Sequence, residues 1–235
     1  MNIVVIMPTF NEAENIGKMI DVLVGEVFPK IKNHKMMLLV VDDNSPDGTG
    51  KIVLEKIKEY KNIELFSGDK EGLGRAFARG MKYAMGKMGA DAVIEMDADF
   101  QHDPNDVERM VAQFDKGYDY VIGSRYVPGG EIPKEWEFYR KFISWGGSFF
   151  ARWALLLFKV HDVTSGFKLT RVEGFLDKLD LDNLISPSYA YKIQVLYEII
   201  KDRDAKAVEV PIKFHHRERG SSKIESEDLR ESLKV

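Results

Sequence analysis

Acidic residues follow several apolar runs of the chain, and one of these groups has the spacing of a metal site. Asp97, Asp99 and Gln101 alternate, so in an extended loop their side chains lie on the same side. They supply only oxygen atoms, which suit Mg²⁺ or Mn²⁺ held jointly by carboxylates and substrate phosphates. Because an acidic crevice repels a phosphorylated ligand, such a cation is needed between them. The segment therefore predicts a site for a metal ion and a phosphorylated substrate.

Two alternating aspartates alone are weak evidence, because aspartate-rich turns cap helices in many proteins. In this chain the pair follows an apolar run, is joined by Gln101, and is predicted to share a sheet edge with Asp42 and Asp43. That combination favours a metal site over a simple turn.

Asp42 and Asp43 belong to a segment that is also a good turn, with Asp47 or Thr49 available to start the next helix. A carboxylate at a sheet edge can also accept paired hydrogen bonds from a nucleobase or from ribose hydroxyls, and we predict this role for Asp43.

Residues 70–75 combine glycines with basic residues at the start of a predicted helix. Free N–H groups at such an end suit a phosphate or a ribose, although the pattern taken alone is also that of an ordinary helix entry.

The elements that position these residues follow from hydrophobic patterning. Apolar runs without clean alternation predict strands covered on both faces, at 2–7, 36–41, 62–66, 92–96 and 119–122. The segments between these strands have apolar residues at helical spacing. They predict a helix that starts with a capping box from Asn11 to Glu14, a helix after Asp47 or Thr49, and helices over 73–88 and 104–115. The second half predicts helices at 138–158 and 188–201 and strands at 166–170 and 206–211.

Alternation of strands and helices predicts an α/β fold with a mostly parallel, doubly wound sheet flanked by helices. Ligands of such sheets bind beyond the carboxyl ends of the strands. The first, second and fourth strand ends are thus expected to lie side by side and to form one acidic crevice.

Composition limits the class of protein. The 235 residues fit one domain, which we assign to 1–214, followed by a charged loop and tail at 215–235. The absence of cysteine excludes disulfides and thiolate metal sites, and the net charge of -4 argues against nucleic-acid binding. The N-terminal run lacks a basic region and a cleavage site, so no signal peptide is predicted and the cytoplasm is the expected location.

Residues 142–158 are apolar but short for a membrane span, and they contain Arg152 and two glycines. We predict an amphipathic helix at a membrane interface, with Trp145, Trp153 and Arg152 near the headgroups. The alternative is a helix buried in the core.

Motifs spread over residues 3 to 224 carry a resemblance to a known family. In chain order they are Pro8-Thr9-Phe10-Asn11-Glu12, Val41-Asp42-Asp43-Asn44-Ser45-Pro46-Asp47-Gly48-Thr49, Gly72-Leu73-Gly74, Met96-Asp97-Ala98-Asp99-Phe100-Gln101-His102, Gly123-Ser124-Arg125-Tyr126, Tyr139-Arg140-Lys141, Ser165-Gly166-Phe167, Glu209-Val210-Pro211 and Arg219-Gly220-Ser221-Ser222-Lys223. With these motifs the chain resembles the family 2 glycosyltransferases of GT-A type, and within them the polyprenyl-phosphate branch of the dolichol-phosphate mannose synthases.

The resemblance implies transfer of mannose from GDP-mannose to a polyprenyl (dolichyl) phosphate, with inversion, at the cytoplasmic face of a membrane. The roles that it implies fall into three groups. Donor contacts are implied for Pro8, Phe10, Glu12, Val41, Asp43 and Gly72, metal binding for Asp97, Asp99 and Gln101, and phosphate binding for Arg125, Arg140, Arg219 and Lys223. The chain departs from the family pattern at Phe10, where tyrosine is usual, at Asn44, where glycine or aspartate is common, and at Ser221, where glutamate is usual.

The implied chemistry needs cations more than a base. A phosphate monoester is already anionic at neutral pH, and arginine matches its oxygens in bidentate fashion. We therefore assign catalysis to Asp99, Arg125 and Arg140, with Asp99 at most assisting in proton transfer. The metal would neutralise the departing nucleoside diphosphate. Any one of these arginines could instead be a solvated surface charge.

Three alternatives remain open from the sequence. The same fold could use UDP-glucose or another nucleotide-sugar with a different lipid. A phosphotransferase could use Asp97 as its nucleophile, although that chemistry expects the aspartate motif on the first strand. A non-catalytic nucleotide-binding protein is the third. A membrane-anchoring protein partner is compatible with each.

Overall fold

The computed structural model describes residues 1–136 and 138–216, and the side chains of 138–144 are outside that description. The strands are β1 (Asn2–Thr9), β2 (Lys35–Asp42), β3 (Ile63–Ser67), β4 (Ala92–Glu95), β5 (Tyr120–Ser124), β6 (Lys168–Arg171) and β7 (Ala207–Pro211). The α-helices are α1 (Ala13–Ile20), α2 (Thr49–Glu59), α3 (Leu73–Gly86), α4 (Asp106–Asp115), α5 (Phe138–Ala154) and α6 (Tyr191–Tyr197). π-helical turns at Asp21–Val27 and Glu198–Asp202 extend α1 and α6.

One seven-stranded sheet has the order β3-β2-β1-β4-β6-β5-β7. Neighbouring strands are parallel except at β6, which is antiparallel to both β4 and β5. The predicted mostly parallel α/β sheet is confirmed. The carboxyl ends of β2, β1 and β4 lie side by side, as expected from the sequence.

Successive residues of the central strands feed two different cores, because side chains alternate across a sheet. Val5 packs with α1 and α4 on one face, whereas Val4 and Ile6 pack with α3 and α6 on the other. Helix α3 lies very close to β1, since a Cβ at Gly80 would be 2.6 Å from the Ile6 side chain. Both faces are thus covered, which explains the unbroken apolar runs.

The predicted capping box at Asn11 is wrong. Asn11 has a positive φ of 56°, and Glu12 occupies the N-cap of α1 without a side-chain cap bond among the described residues. The loop after β2 supplies the acceptors instead. Asp47 Oδ2 accepts the Ala13 N–H at 2.9 Å, and Thr49 Oγ1 accepts the Glu12 N–H at 3.0 Å.

Helix α4 begins at Asp106 rather than at residue 104, because Asp103 and Pro104 form a preceding turn. Helix α6 is shorter than the predicted 188–201 and continues as the π-helical turn. Within the described ranges, no helix is long and apolar enough to span a bilayer. Of the predicted tail 215–235, residues 217–235 lie outside the described part.

Candidate active site

The loops that follow β1, β2 and β4 form the predicted crevice, and each contains a residue with a left-handed backbone. Asn11, Asn44 and Phe100 have φ values of 56°, 49° and 60°. Asparagine tolerates this conformation, as glycine and aspartate do, which explains Asn44 at a position where the family commonly has one of those two. A phenylalanine there is a genuine outlier, of the kind that clusters at functional sites.

The loop after β4, residues 97–102, carries the three predicted metal ligands. Asp99 is buried and its Oδ1 accepts the Gln101 N–H at 3.0 Å, which fixes the turn between them. The Gln101 carbonyl accepts the His215 N–H at 2.9 Å, and the Gln101 amide donates to the His215 carbonyl at 3.4 Å. The loop is thereby joined to the chain that follows β7.

His102 closes the loop from beneath. It is buried, stacks on Phe167 with 4.9 Å between ring centroids, and accepts the Asp97 N–H at Nδ1 over 3.5 Å. Burial lowers the pKa of His102 to about 3, so the imidazole is neutral at pH 7. Although Nδ1 lies 3.9 Å from Asp97 Oδ2, this contact is therefore not an ion pair.

The Asp97 carboxyl group is thus not used in an ion pair with His102, and its side chain is 27% exposed. No three His, Cys, Asp or Glu side chains come together around a cation position in the described residues. Two carboxylates with one amide oxygen, completed by substrate phosphates, nevertheless fit the way in which Mg²⁺ and Mn²⁺ are held.

The two aspartates at the end of β2 have different surroundings. The Asp42 carboxylate is occupied by hydrogen bonds within the protein. It accepts one from the Thr9 hydroxyl at 2.9 Å and two more from the N–H and the hydroxyl of Ser45. Asp43 forms an ion pair with Arg79 of α3. Burial raises the pKa of Asp43, and the Arg79 charge acts against that rise. The structure thus distinguishes a structural Asp42 from an Asp43 held by an arginine at the crevice.

Arg79 is a residue that the sequence reasoning missed. It also donates from Nη1 to the Asp69 carbonyl at 2.7 Å, so it fastens the loop after β3 to the end of β2. Its position one turn after Arg75, on a helix that starts beside the crevice, was the available signal.

Other predicted donor contacts lie around this end of β1. Phe10 is half-buried, with the Lys70 ammonium 3.9 Å from its ring centroid. Pro8 lies near the end of β1, and the Glu12 carboxylate accepts the Asn15 amide at 2.9 Å. Val41 is fully buried beneath α3, so its side chain belongs to the core.

Two of the N–H groups at the entry of α3, which the glycines led us to expect to be free, are used within the protein. The N–H groups of Gly74 and Arg75 donate to the Pro187 carbonyl at 2.8 and 3.2 Å. Gly72 has a φ of 107°, and a Cβ there would lie 2.6 Å from that carbonyl oxygen. Because these glycines have no side chain, the loop before α6 can pack closely against the start of α3. This contact places the loop at the crevice.

Arg125 follows β5, as predicted, but its guanidinium is already bound within the protein. Nε and Nη2 donate to the two Asp162 oxygens, each at 2.7 Å, and Nη2 also donates to Thr164 Oγ1 at 2.8 Å. Its phosphate-binding role stays a prediction. Arg140 lies in α5 with its side chain undescribed, and Arg219 and Lys223 lie outside the described residues.

A buried polar cluster lies behind the loop 97–102, and the sequence reasoning missed it. Glu95 of β4 accepts the Tyr191 hydroxyl at 2.7 Å and faces Lys168 across the β4–β6 pair. The Lys168 ammonium donates to the Lys192 carbonyl at 2.7 Å. Burial lowers the pKa of Lys168 to about 8 and raises that of Glu95, against the attraction between them.

Comparison with known proteins agrees with this architecture. The model of the family described as glycosyl transferase family 2 matches residues 4–177. The chain belongs to glycosyltransferase family 2. A polyprenol monophosphomannose synthase from Mycolicibacterium smegmatis is 36% identical over 231 residues, which cover 97% of this chain and 83% of that protein.

Two further relatives of this glycosyltransferase have similar names. An undecaprenyl-phosphate mannosyltransferase from Micrococcus luteus is 35% identical, over 95% of this chain and 88% of the relative. A dolichol-phosphate mannosyltransferase from Pyrococcus furiosus is 36% identical, over 100% of this chain and 62% of the relative.

Solved structures share the GT-A fold of this glycosyltransferase. Mannosyl-3-phosphoglycerate synthase from Rubrobacter xylanophilus has a TM-score of 0.66 at 17% identity, over 99% of this chain and 70% of that one. Glucosyl-3-phosphoglycerate synthase from Mycobacterium tuberculosis, in complex with Mn²⁺ and UDP-glucose, has a TM-score of 0.64 at 18% identity, over 99% and 75%.

Proposed function

We propose that this glycosyltransferase moves mannose from GDP-mannose to a polyprenyl phosphate such as dolichyl phosphate, with inversion at the anomeric carbon. The observation that carries the proposal is the loop 97–102, in which Asp97 and Asp99 lie beside a neutral His102 that forms no ion pair with Asp97. Such a loop suits a nucleoside diphosphate only together with a divalent cation. The three relatives, each named for mannose transfer to a polyprenyl or polyprenol phosphate, support the choice of sugar and acceptor.

In this proposal Asp97, Asp99 and Gln101 hold Mg²⁺ or Mn²⁺. When bound, the metal supplies the positive charge that a departing nucleoside diphosphate needs. The protein orients the ligands before the substrate arrives. The hydrogen bond from the Gln101 N–H to Asp99 and that from the Asp97 N–H to His102 hold the loop in place.

The nucleoside is assigned to the β1–β2 side of the crevice. Asp43, held by Arg79, accepts hydrogen bonds from the base or ribose, and Phe10 offers a ring face for stacking. Because the Lys70 ammonium now lies over that face, it has to move aside when the base stacks. Pro8, Glu12 and Gly72 frame this end of the site, and Val41 supports it from the core.

Helix α5 is proposed to lie at the membrane interface, where a lipid acceptor resides. Trp145, Phe149 and Trp153 repeat every four residues and contact one another along an exposed face. The opposite face contains buried Ser148 and packs against the core. A helix buried on all sides would not expose these aromatics, so this pattern supports peripheral attachment, which we place at the cytoplasmic face.

The test is transfer of label to a short polyprenyl phosphate in the presence of Mn²⁺, with GDP-mannose and UDP-glucose offered in separate reactions. Labelled lipid formed from GDP-mannose and lost on chelation is the expected result. Labelled lipid formed only from UDP-glucose would refute the mannose donor. Transfer that survives chelation would refute the metal assignment.

A further inference from the structure

Lys192, on the first turn of α6, has a largely buried side chain whose ammonium group the mechanism so far has not used. The residue is only 6% exposed. Among the residues that the structure describes, its ammonium makes no hydrogen bond and no ion pair, and its ring contact is with Tyr189, whose centroid lies 5.3 Å away. The neighbouring Lys168, by contrast, is anchored to a main-chain carbonyl.

The ammonium lies at the crevice, beside the metal loop. It sits directly over Gly166, where an added Cβ would overlap Nζ and lie 3.1 Å from Cε. The next residue, Phe167, stacks on His102. Strand β6 is antiparallel to β4 with Lys168 opposite Glu95, so Gly166 lies at the end of β4 from which the loop 97–102 starts. Lys192 therefore lies beside this loop.

Neither packing nor helix stability accounts for a positive charge at this position. The side chain is largely buried, yet no described acidic side chain pairs with its ammonium group. The N-terminal turn of a helix also adds a positive partial charge of its own. An anion supplied by a ligand would pair with this charge.

The negative charges of the two substrates of the proposed reaction are neutralised by different groups. The charge of the donor diphosphate is neutralised by the metal that the loop 97–102 would hold. The acceptor phosphate must approach the same acidic crevice, and in the described part of the chain Arg125 is already paired with Asp162. We infer that Lys192 binds the phosphate monoester of the acceptor, on the side of the metal loop away from the nucleoside. This inference rests on the proposed function, because it assumes a phosphorylated acceptor.

The experiment measures calorimetric affinities for farnesyl phosphate and for GDP, both with Mn²⁺, in the whole protein. Lys192→Met removes the charge, and Gly166→Ala keeps the charge but displaces the ammonium. In both variants the affinity for farnesyl phosphate should fall by about tenfold or more, which corresponds to the loss of one charged hydrogen bond. The affinity for GDP should change by no more than about twofold. Lys201→Met and Gly86→Ala are the matched controls, since Lys201 is exposed and a Cβ at Gly86 meets nothing within 4 Å.

Unchanged affinity for farnesyl phosphate in both variants would overturn the inference, as would an equal loss for GDP. A wild-type protein that binds GDP but no phosphate monoester would overturn the proposed acceptor together with the role of Lys192. Failure of mannose transfer with normal, Lys192-dependent binding of farnesyl phosphate would refute only the donor. Because the ammonium makes no internal ion pair with described residues, Lys192→Met should melt at or above the wild-type temperature, which separates binding from folding.

Discussion

The guanidinium of Arg125 makes one hydrogen bond of 2.7 Å to each carboxylate oxygen of Asp162. Asp162 is fully buried, and its oxygens also accept the Arg125 N–H and the Thr164 hydroxyl. Glu209 of β7 holds the same turn by accepting the N–H groups of His161 and Asp162. The pair therefore joins the end of β5 to the segment that follows α5.

Asp162→Asn should destabilise the fold by about 3–5 kcal/mol, because it leaves a buried guanidinium without its anion. Urea unfolding at pH 7 measures the loss. Asp119→Asn is the control, since Asp119 and Arg171 form a half-exposed pair that should contribute about 1 kcal/mol or less. Equal losses in the two variants would contradict the assigned importance of burial.

The same pair predicts a pH dependence. Burial acts to raise the pKa of Asp162, but Arg125 and the hydrogen bonds outweigh it and hold the pKa below its ordinary value. A lowered folded-state pKa stabilises the fold above the unfolded-state value, about 3.9, and this contribution is lost as the pH falls through the folded-state value. Wild-type stability should fall more steeply than that of Asp162→Asn below about pH 4. Parallel profiles in acid unfolding would refute the assignment.

Asp99→Ala should reduce turnover by about three orders of magnitude, since loss of metal binding removes several kcal/mol of charge stabilisation. Asp99→Asn keeps an acceptor for the Gln101 N–H and should fail equally, so the pair of variants isolates the charge. Melting temperatures should change little. Asp202→Asn, at an exposed position, is the control. Retained turnover in Asp99→Asn would refute the assigned metal ligand.

His102→Phe should weaken metal binding without abolishing sugar transfer. Phenylalanine preserves the stacking on Phe167 but removes the nitrogen that accepts the Asp97 N–H. Loss of a residue that orients a ligand typically costs 10- to 100-fold in metal affinity, so half-saturation by Mn²⁺ should shift upward by about that factor. Direct Mn²⁺ titration provides a readout independent of turnover. An unchanged Mn²⁺ titration would show that the ring only packs.

The aromatic face of α5 should control membrane binding. Trp145 and Trp153 are 54% and 60% exposed, so the double substitution to serine should leave the melting temperature nearly unchanged. Its affinity for anionic vesicles should fall by about tenfold or more, because burying one such side chain is worth about 1.5–3 kcal/mol. Leu54→Ser is the control: Leu54 is 52% exposed on α2, and this variant should bind vesicles like the wild type. Vesicle sedimentation distinguishes these outcomes.

The sequence predicted those features that depend on local patterns. Apolar runs located five of the seven strands in the described sheet, and β6 and β7 were predicted as strand-like segments of the less regular second half. The carboxyl-end rule located the acidic crevice, because buried strands leave a clear pattern in the sequence. The tight Gly72 turn was also visible as a glycine-rich helix entry.

Contacts between distant segments were not predictable in the same way. Arg79 meets Asp43 across 36 positions, and Arg125 meets Asp162 across 37. From the sequence alone, a charged residue is expected to lie at the solvent-exposed surface. For that reason Lys192 was not predicted to be part of the site. The capping box failed because the loop after β2 offered Ala13 a different acceptor, Asp47.

The position of β6 has a consequence for the order in which the protein is completed during synthesis. β6 is the only strand that pairs with both β4 and β5 in the described sheet, so β5 has no docked neighbour until residue 171 has left the ribosome. The loop 97–102 gains its hydrogen bonds to His215 later still, because His215 follows β7 in the chain. The nascent chain thus exposes an unpaired sheet edge until β6 docks, and the loop 97–102 is fixed to the segment after β7 only once that segment has been made.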